Sequence, residues 1–243
     1  MSVRSHPVMV LGMHRSGTSC LAGCLQAAGL NLGDANTQAS FNKRGNRENF
    51  DFVHIHDRVL ARVGAAWDDP PENDPVWPTL ERRVRDAAIR KLQTETDEGR
   101  WGLKDPRALL VLNGWLDLSP TFVGTFRHPV AVVRSLRHRA EQWGRPMSED
   151  AALSLWTRYN RALLDVHSRK SFPVIRYDQP EDGYRDDLAA IAGSLGLDAG
   201  GGQSFRTPEL HNQTASDAAL PDGAQTLFER LLALPRPRDG GVS

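Results

Sequence analysis

Gly12 and Gly17 stand between a short apolar run, Val8 to Met13, and a helical pattern that begins at Thr18. Their G-x-x-x-x-G spacing suits an anion cradle. Glycines let backbone N–H groups converge on phosphate oxygens, and the helix N-terminus adds partial positive charge. The lysine that would follow the second glycine in a nucleoside triphosphatase is missing: Thr18 and Ser19 stand there, and the nearest cation is Arg15, inside the loop. Arg15, Ser16, Gly17, Thr18 and Ser19 are therefore the candidate anion-binding residues, with a phosphorylated nucleotide as the expected ligand. The plain alternative is a sharp strand-to-helix connection. The run Arg-Ser-Gly-Thr-Ser directly after an apolar strand argues against it.

A second constellation spans Phe122 to Ser135, where an apolar run ends in Arg127, Pro129 follows, and Ser135 comes eight residues after the arginine. Two turns of helix bring Ser135 back toward the strand end, so Arg127 and Ser135 could bind one phosphate together. The structural alternatives are that Arg127 caps a neighbouring helix and that Ser135 bonds back to its own. Glu48 opens a helical pattern in which it shares a mostly apolar face with Phe52, Ile55, His56, Val59 and Val63. It points inward as a candidate base, or serves as a first-turn acid favoured by the helix dipole. His14, within the cradle, is a reserve catalytic candidate or a partner for loop carbonyls. His54 and His56 point in different directions and make a poor metal pair.

The elements that must position these groups alternate along the chain. Apolar runs at Val8 to Met13, Trp101 to Leu103, Thr121 to Phe126 and Phe172 to Arg176 are each followed by a helical pattern, at Thr18 to Ala28, Ala108 to Leu118, Val130 to Gln142 and Tyr184 to Leu195. That order predicts an α/β fold, a central parallel sheet flanked by helices on both faces. Ligands of open sheets sit beyond the carboxyl ends of the strands, where His14 to Ser19, Lys104, Arg127 and Tyr177 all fall. The expected organisation is a single domain over residues 1–243, with a helical excursion at about 31–98 shaping the acceptor side. Within it, Leu80 to Thr96 reads as a charged, solvated helix. A terminal helix is expected over Pro221 to Leu234. Trp67, Trp77, Trp143 and Trp156 read first as core residues and second as walls of a cleft.

Thirty basic side chains balance thirty acidic ones. That balance argues against nucleic acid and anionic membrane as partners, so any anion site must be local. Cys20 and Cys24, the two cysteines, lie one helical turn apart and read as small core residues, too few for a disulfide framework or a metal site. No apolar run approaches the ~18 residues of a membrane span, so a soluble cytoplasmic protein is expected. Nothing in the sequence fixes an oligomeric state.

The loop Gly12 to Ser19 resembles the 5′-phosphosulfate loop of sulfotransferases that use 3′-phosphoadenosine 5′-phosphosulfate (PAPS), with Arg15 at the cationic position. Phe122 to Ser135 resembles the 3′-phosphate segment of the same family. Asn42 to Glu48 is similar to an Asn-x-x-Gly-x-x-Glu segment of bacterial members, in some of which the glutamate is the general base. Trp101 to Arg107 resembles their Lys-Asp-Pro-Arg loop and sets Lys104 opposite the catalytic histidine of the cytosolic branch. Lysine is no ordinary base at neutral pH, so Lys104 would stabilise the transferring group or leaving phosphate. Val174 to Asp178 is similar to a strand end whose tyrosine, here Tyr177, can contact adenine, and Arg206 or His211 would return to the 3′-phosphate. The resemblance implies a P-loop-like sulfotransferase fold and transfer of a sulfuryl group to a hydroxyl or amine of a small-molecule or carbohydrate-like acceptor. PAPS would be the donor, Glu48 and Lys104 catalytic, and no metal would be required. The alternatives are a P-loop small-molecule kinase and a non-catalytic nucleotide-binding module.

Overall fold

The computed structural model describes residues 6–38, 45–94, 99–199 and 219–237. Asn42, Arg206 and His211 lie outside them. Four parallel strands form the sheet: β1 (Val8–Leu11), β2 (Gly102–Lys104), β3 (Thr121–Phe126) and β4 (Val174–Arg176), in the order β2-β1-β3-β4. β1 pairs Val8 with Gly102 on one side and with Thr121 on the other. The chain therefore leaves β1 toward one edge and, after β2, crosses to build the other. The connections diverge between β1 and β3, and the crevice of such a sheet opens there.

Side chains alternate across β1 as a strand dictates. Val8 and Val10 face a core formed with α1 (Thr18–Ala27) and α6 (Glu181–Ser194), through Leu21, Leu25, Leu188 and Ile191. Met9 and Leu11 face the larger core, which holds Phe52 and Ile55 of α2 (Phe50–Ala61), Leu136 of α4 (Pro129–Gln142), Trp156 of α5 (Glu149–Arg169) and Phe228 of α7 (Asp222–Leu232). Both faces of the sheet are thus covered by helices, as the alternation of patterns requires. Local signals start the helices where they stand. The Asn49 side chain accepts from Asp51 N ahead of α2, Pro129 opens α4, and Ser148 Oγ accepts from Ala151 N ahead of α5.

Three expectations change. The helical pattern over Ala108 to Leu118 becomes three 3₁₀ turns, Pro106–Leu110, Leu112–Gly114 and Leu116–Leu118. The indole of Trp77 donates to Val111 O at 2.9 Å, taking a carbonyl that a continuous helix would spend on the residue four further on. Helix α3 (Thr79–Thr94) is not solvated all round, because Glu81, Arg85, Ile89 and Leu92 are buried on one face. Glu81 accepts from Arg58 and Arg62, each at 3.0 Å, and Arg85 pairs with Asp117 at 2.7 Å, so partners from other segments make those charges affordable inside. Val63 is exposed rather than on the inner face of α2, since that helix ends at Ala61. Neither cysteine forms a disulfide among the described residues; Cys24 is buried, and Cys20, half-buried, accepts from Tyr184 Oη at 3.7 Å.

Candidate active site

The loop after β1 turns through positive φ at Gly12 (149°), Arg15 (67°) and Gly17 (89°). Two of these positions need glycine. A Cβ on Gly12 would stand 2.5 Å from Thr125 O, and one on Gly17 would stand 2.2 Å from Tyr177 Cδ2. β3 and the end of β4 thus press the loop from either side. Thr125 Oγ1 donates to Ser16 O at 3.1 Å, and no side chain caps α1. The first amides of that helix have no intrahelical acceptor and point out of its N-terminus, available to an anion. Ser16 is fully buried, and its Oγ lacks a hydrogen-bond partner among the described residues. Ser19 differs from the sequence expectation in having its hydroxyl committed: it donates to Asn46 O at 3.0 Å and ties α1 to the segment carrying Glu48.

Arg15 reaches across the crevice between β1 and β3. Its Nε donates to Ser135 Oγ at 2.8 Å, so the loop arginine and the helix serine, 120 residues apart, share one spot. Arg127 joins them, its Nη1 donating to Arg15 O at 3.4 Å and its guanidinium lying 5.2 Å from the Tyr177 ring centre. The Arg127 backbone is fixed by Trp156, whose indole donates to its carbonyl at 3.1 Å. Burial, followed by the charge of Arg127, pushes the Arg15 guanidinium below its usual range. Two guanidinium groups held this closely favour an anion between them.

The second half of the site is built at the end of β2. Lys104 Nζ donates to Glu48 Oε1 at 2.5 Å, and the two residues are only 3% and 9% exposed. Beside them the Asp105 carboxylate accepts from Arg107 N at 3.1 Å, from Arg107 Nη1 at 3.0 Å and from His56 Nδ1 at 2.7 Å. The far nitrogen of His56 accepts from the Trp115 indole at 2.9 Å. An indole only donates, so Nε2 of His56 carries the lone pair and Nδ1 the proton. Burial pushes the Asp105 carboxyl up, yet the Arg107 charge and the His56 hydrogen bond outweigh it and hold the group well below the ordinary carboxylate range. Arg107 is drawn down by burial but held above its usual value by Asp105, Asp57 and Glu48.

Between the two halves lies His14, with its ring 4.7 Å from Trp67 and 5.9 Å from Tyr159, centre to centre. Burial pushes its pKa well below the usual histidine value, helped by Arg107, Arg139 and Lys104 against the opposing charge of Asp105. Arg139 is sandwiched, 5.0 Å from the Trp67 ring and 4.6 Å from that of Trp143. Burial, then the neighbouring Arg15, lowers its pKa to about 10.

Arg15, Ser16, Gly17, Thr18, Arg127 and Ser135 thus gather at the carboxyl ends of β1 and β3, with Lys104 and Glu48 paired at the end of β2. Sequence reasoning missed Arg139, the bonding chain Trp115–His56–Asp105, and Arg107 as its anchor. Arg139 carried a signal, since it stands four residues after Ser135 and so shares its helix face. The tryptophans divide: Trp77 and Trp156 are core, whereas Trp67 is half-buried against His14 and Trp143 is 50% exposed.

A parallel sheet with a glycine-bounded loop after its first strand and an arginine–serine pair after its third defines a P-loop-like α/β protein. The profile of the Sulfotransferase family matches residues 7–199, and the chain belongs to that family. Compared with the curated proteins, the sequence matches none significantly. Among solved structures it is similar to the sulfotransferase domain of the Synechococcus PCC 7002 olefin synthase, with 19% identity, 94% of this chain and 96% of that one covered, and a TM-score of 0.56. It is also similar to the sulfotransferase domain of the curacin biosynthetic pathway (16% identity, 96% and 100% covered, TM-score 0.51). Sulfotransferase STF1 from Mycobacterium tuberculosis H37Rv matches with 19% identity, 95% and 77% covered, and a TM-score of 0.59. These likenesses show the sulfotransferase fold.

Proposed function

We propose that this protein transfers a sulfuryl group from PAPS to a hydroxyl or amine of a small-molecule or carbohydrate-like acceptor. The observation that carries the reading is the hydrogen bond from Arg15 to Ser135 with Arg127 alongside, because it supports a 5′-phosphate site and a 3′-phosphate site next to one another. A bisphosphate nucleotide has use for both; a simple nucleoside diphosphate has use for one. The donor's 5′-phosphosulfate is held by the backbone amides from Arg15 to Ser19 and by the side chains of Arg15, Ser16 and Thr18, the Ser19 hydroxyl staying on Asn46 O. Its 3′-phosphate is held by Arg127 and Ser135.

The phosphate is displaced from sulfur in line. The acceptor oxygen or nitrogen forms the new bond to sulfur as the sulfur–oxygen bond to the phosphate breaks. Glu48 receives the acceptor proton, and Lys104 stabilises the charge left on the departing phosphate oxygen. Their 2.5 Å contact gives these roles a starting point: Lys104 holds the Glu48 carboxylate in place until the donor's negative charge competes for the ammonium. Asp105, fixed by His56 and Arg107, keeps the turn after β2 from shifting under Lys104. The whole chain acts as one domain, with residues 31–98 shaping the acceptor side. No helix among the described residues is long and apolar enough to cross a membrane, and we place the enzyme in the cytoplasm.

Calorimetric titration with adenosine 3′,5′-bisphosphate in the absence of metal, set beside ADP with Mg²⁺, tests the donor class. Preference for the bisphosphate, lost in Arg127→Ala, is the expected result. Preference for ADP with Mg²⁺ would make the cradle a kinase's, and tight bisphosphate binding without sulfated product from any acceptor would leave only a binding module.

A further inference from the structure

We propose that the imidazole of His14 is a further catalytic group, donating a hydrogen bond to an oxygen of the sulfuryl group during transfer. This rests on the sulfotransferase reading above. His14 belongs to the cradle loop, directly before Arg15, yet it interacts electrostatically with Lys104, Asp105, Arg107 and Arg139. It therefore borders both the loop after β1 and the charged residues at the end of β2. Like Lys104 at 3%, Arg127 at 6% and Ser135 at 6%, His14 is buried, at 8% exposure.

Nε2 of His14 is buried without a hydrogen-bond partner among the described residues, and the ring is held by Trp67 and Tyr159 instead. Leaving such a group unsatisfied is destabilising, a cost that an incoming oxygen removes. The ring is in turn well oriented: Trp67 lies across it, and Tyr159 is itself fixed by donating to Trp67 O at 2.8 Å. Charges facing the ring from the loop after β2 and from α4 are three cations, Lys104, Arg107 and Arg139, against one carboxylate, Asp105. The imidazole accordingly stays neutral and offers one N–H without adding charge. No proton passes to or from it. The acceptor–sulfur bond forms, the sulfur–phosphate oxygen bond breaks, and His14 only stabilises negative charge on the moving oxygens.

The test uses His14→Phe, which keeps the aromatic contacts, and His14→Gln, which restores a neutral N–H. Two quantities are read: affinity for adenosine 3′,5′-bisphosphate, which carries no sulfuryl group, and release of sulfate from PAPS with water as acceptor. The expected result is a ~10²-fold slower release in His14→Phe, bisphosphate affinity within about twofold of the parent, and recovery of roughly tenfold in His14→Gln. The pH profile of His14→Phe keeps its shape and loses only height. Release within about threefold of the parent, or affinity and rate falling together, would overturn the assignment. Loss of an acidic limb in His14→Phe would also overturn it, by making His14 a proton acceptor. Failure of the unmodified protein to bind the bisphosphate would overturn the sulfotransferase reading itself, and is thereby distinguishable.

Discussion

Replacing Gly17 with alanine strikes the cradle at its tightest point. The residue sits at φ 89°, ψ 8° as the N-cap of α1, in the left-handed region, where a Cβ costs ~1–2 kcal/mol. The new methyl would also lie 2.2 Å from Cδ2 and 2.4 Å from Cγ of Tyr177. The Tyr177 backbone cannot withdraw easily, because its N–H donates to Phe126 O at 2.8 Å at the end of β3, so the ring must swing away. Doing so gives up its cation–π contact with Arg127 at 5.2 Å and its edge contact with Tyr184 at 6.3 Å. Those are worth about 0.5–1 and 0.5–1.5 kcal/mol. Gly17→Ala should therefore cost about 2–4.5 kcal/mol, felt as a weaker bisphosphate site and a lower unfolding midpoint, with each 1.4 kcal/mol a factor of ten in affinity.

The double variant Gly17→Ala, Tyr177→Ala separates the two causes. With the ring removed, only the backbone strain remains, so the alanine should cost about 1–2 kcal/mol on that background. Bisphosphate affinity by calorimetry and unfolding in urea, measured for all four proteins, close the cycle. An equal cost of Gly17→Ala in both backgrounds would show that Tyr177 does not brace the loop, and the reasoning from its contact with Gly17 would be wrong.

Glu48→Gln should keep bisphosphate affinity and slow turnover by ~10²- to 10⁴-fold, the range of a positioned base; a barely altered rate would end that role for Glu48. Lys104→Ala should lower turnover more than bisphosphate affinity, and a loss confined to affinity would make Lys104 a binding residue. Asp74 gives a pH prediction. Burial, against backbone hydrogen bonds from Asn113 and Leu112, raises its pKa to about 6, so folding favours the protonated acid and stability falls as pH rises from about 4 through 6. Asp74→Asn should therefore unfold at higher temperature than the parent at pH 7.5, by on the order of 1 kcal/mol after allowance for partial exposure, and match it at pH 4. Equal midpoints at both values would contradict the shift.

The parts of the site that were legible in the sequence are those whose geometry is local. Gly12 to Ser19 places strand, turn and helix within one short segment, and Arg127 with Ser135 needs only two turns of helix. β3 occupies the same residues, Thr121–Phe126, that the apolar run marks. The rest depended on partners distant along the chain. The helical pattern at Ala108 to Leu118 is overridden by Trp77, 34 residues before the carbonyl it captures. The charges of α3 look solvated until Arg58, Arg62 and Asp117 arrive from other segments to neutralise them. His56, Asp105 and Trp115 form one chain of bonds, although their separations of 49 and 59 residues carry no pattern. Arg139 shares a helix face with Ser135, but its setting between Trp67 and Trp143 becomes visible only when the excursion folds over α4.

The indoles around the crevice give the protein a built-in optical probe. Trp156 hydrogen-bonds the carbonyl of Arg127, and Trp67 lies against both His14 and Arg139, so two intrinsic fluorophores touch different parts of the site. With the 50% exposed Trp143 replaced by phenylalanine, an aqueous quencher reaches half-buried Trp67 in preference to fully buried Trp156. Filling the arginine–serine site would perturb the emission of the shielded indole, and an acceptor settling against the excursion would perturb the quenchable one. Entry of each substrate could thus be timed separately in a stopped-flow mixing experiment, without attaching any label.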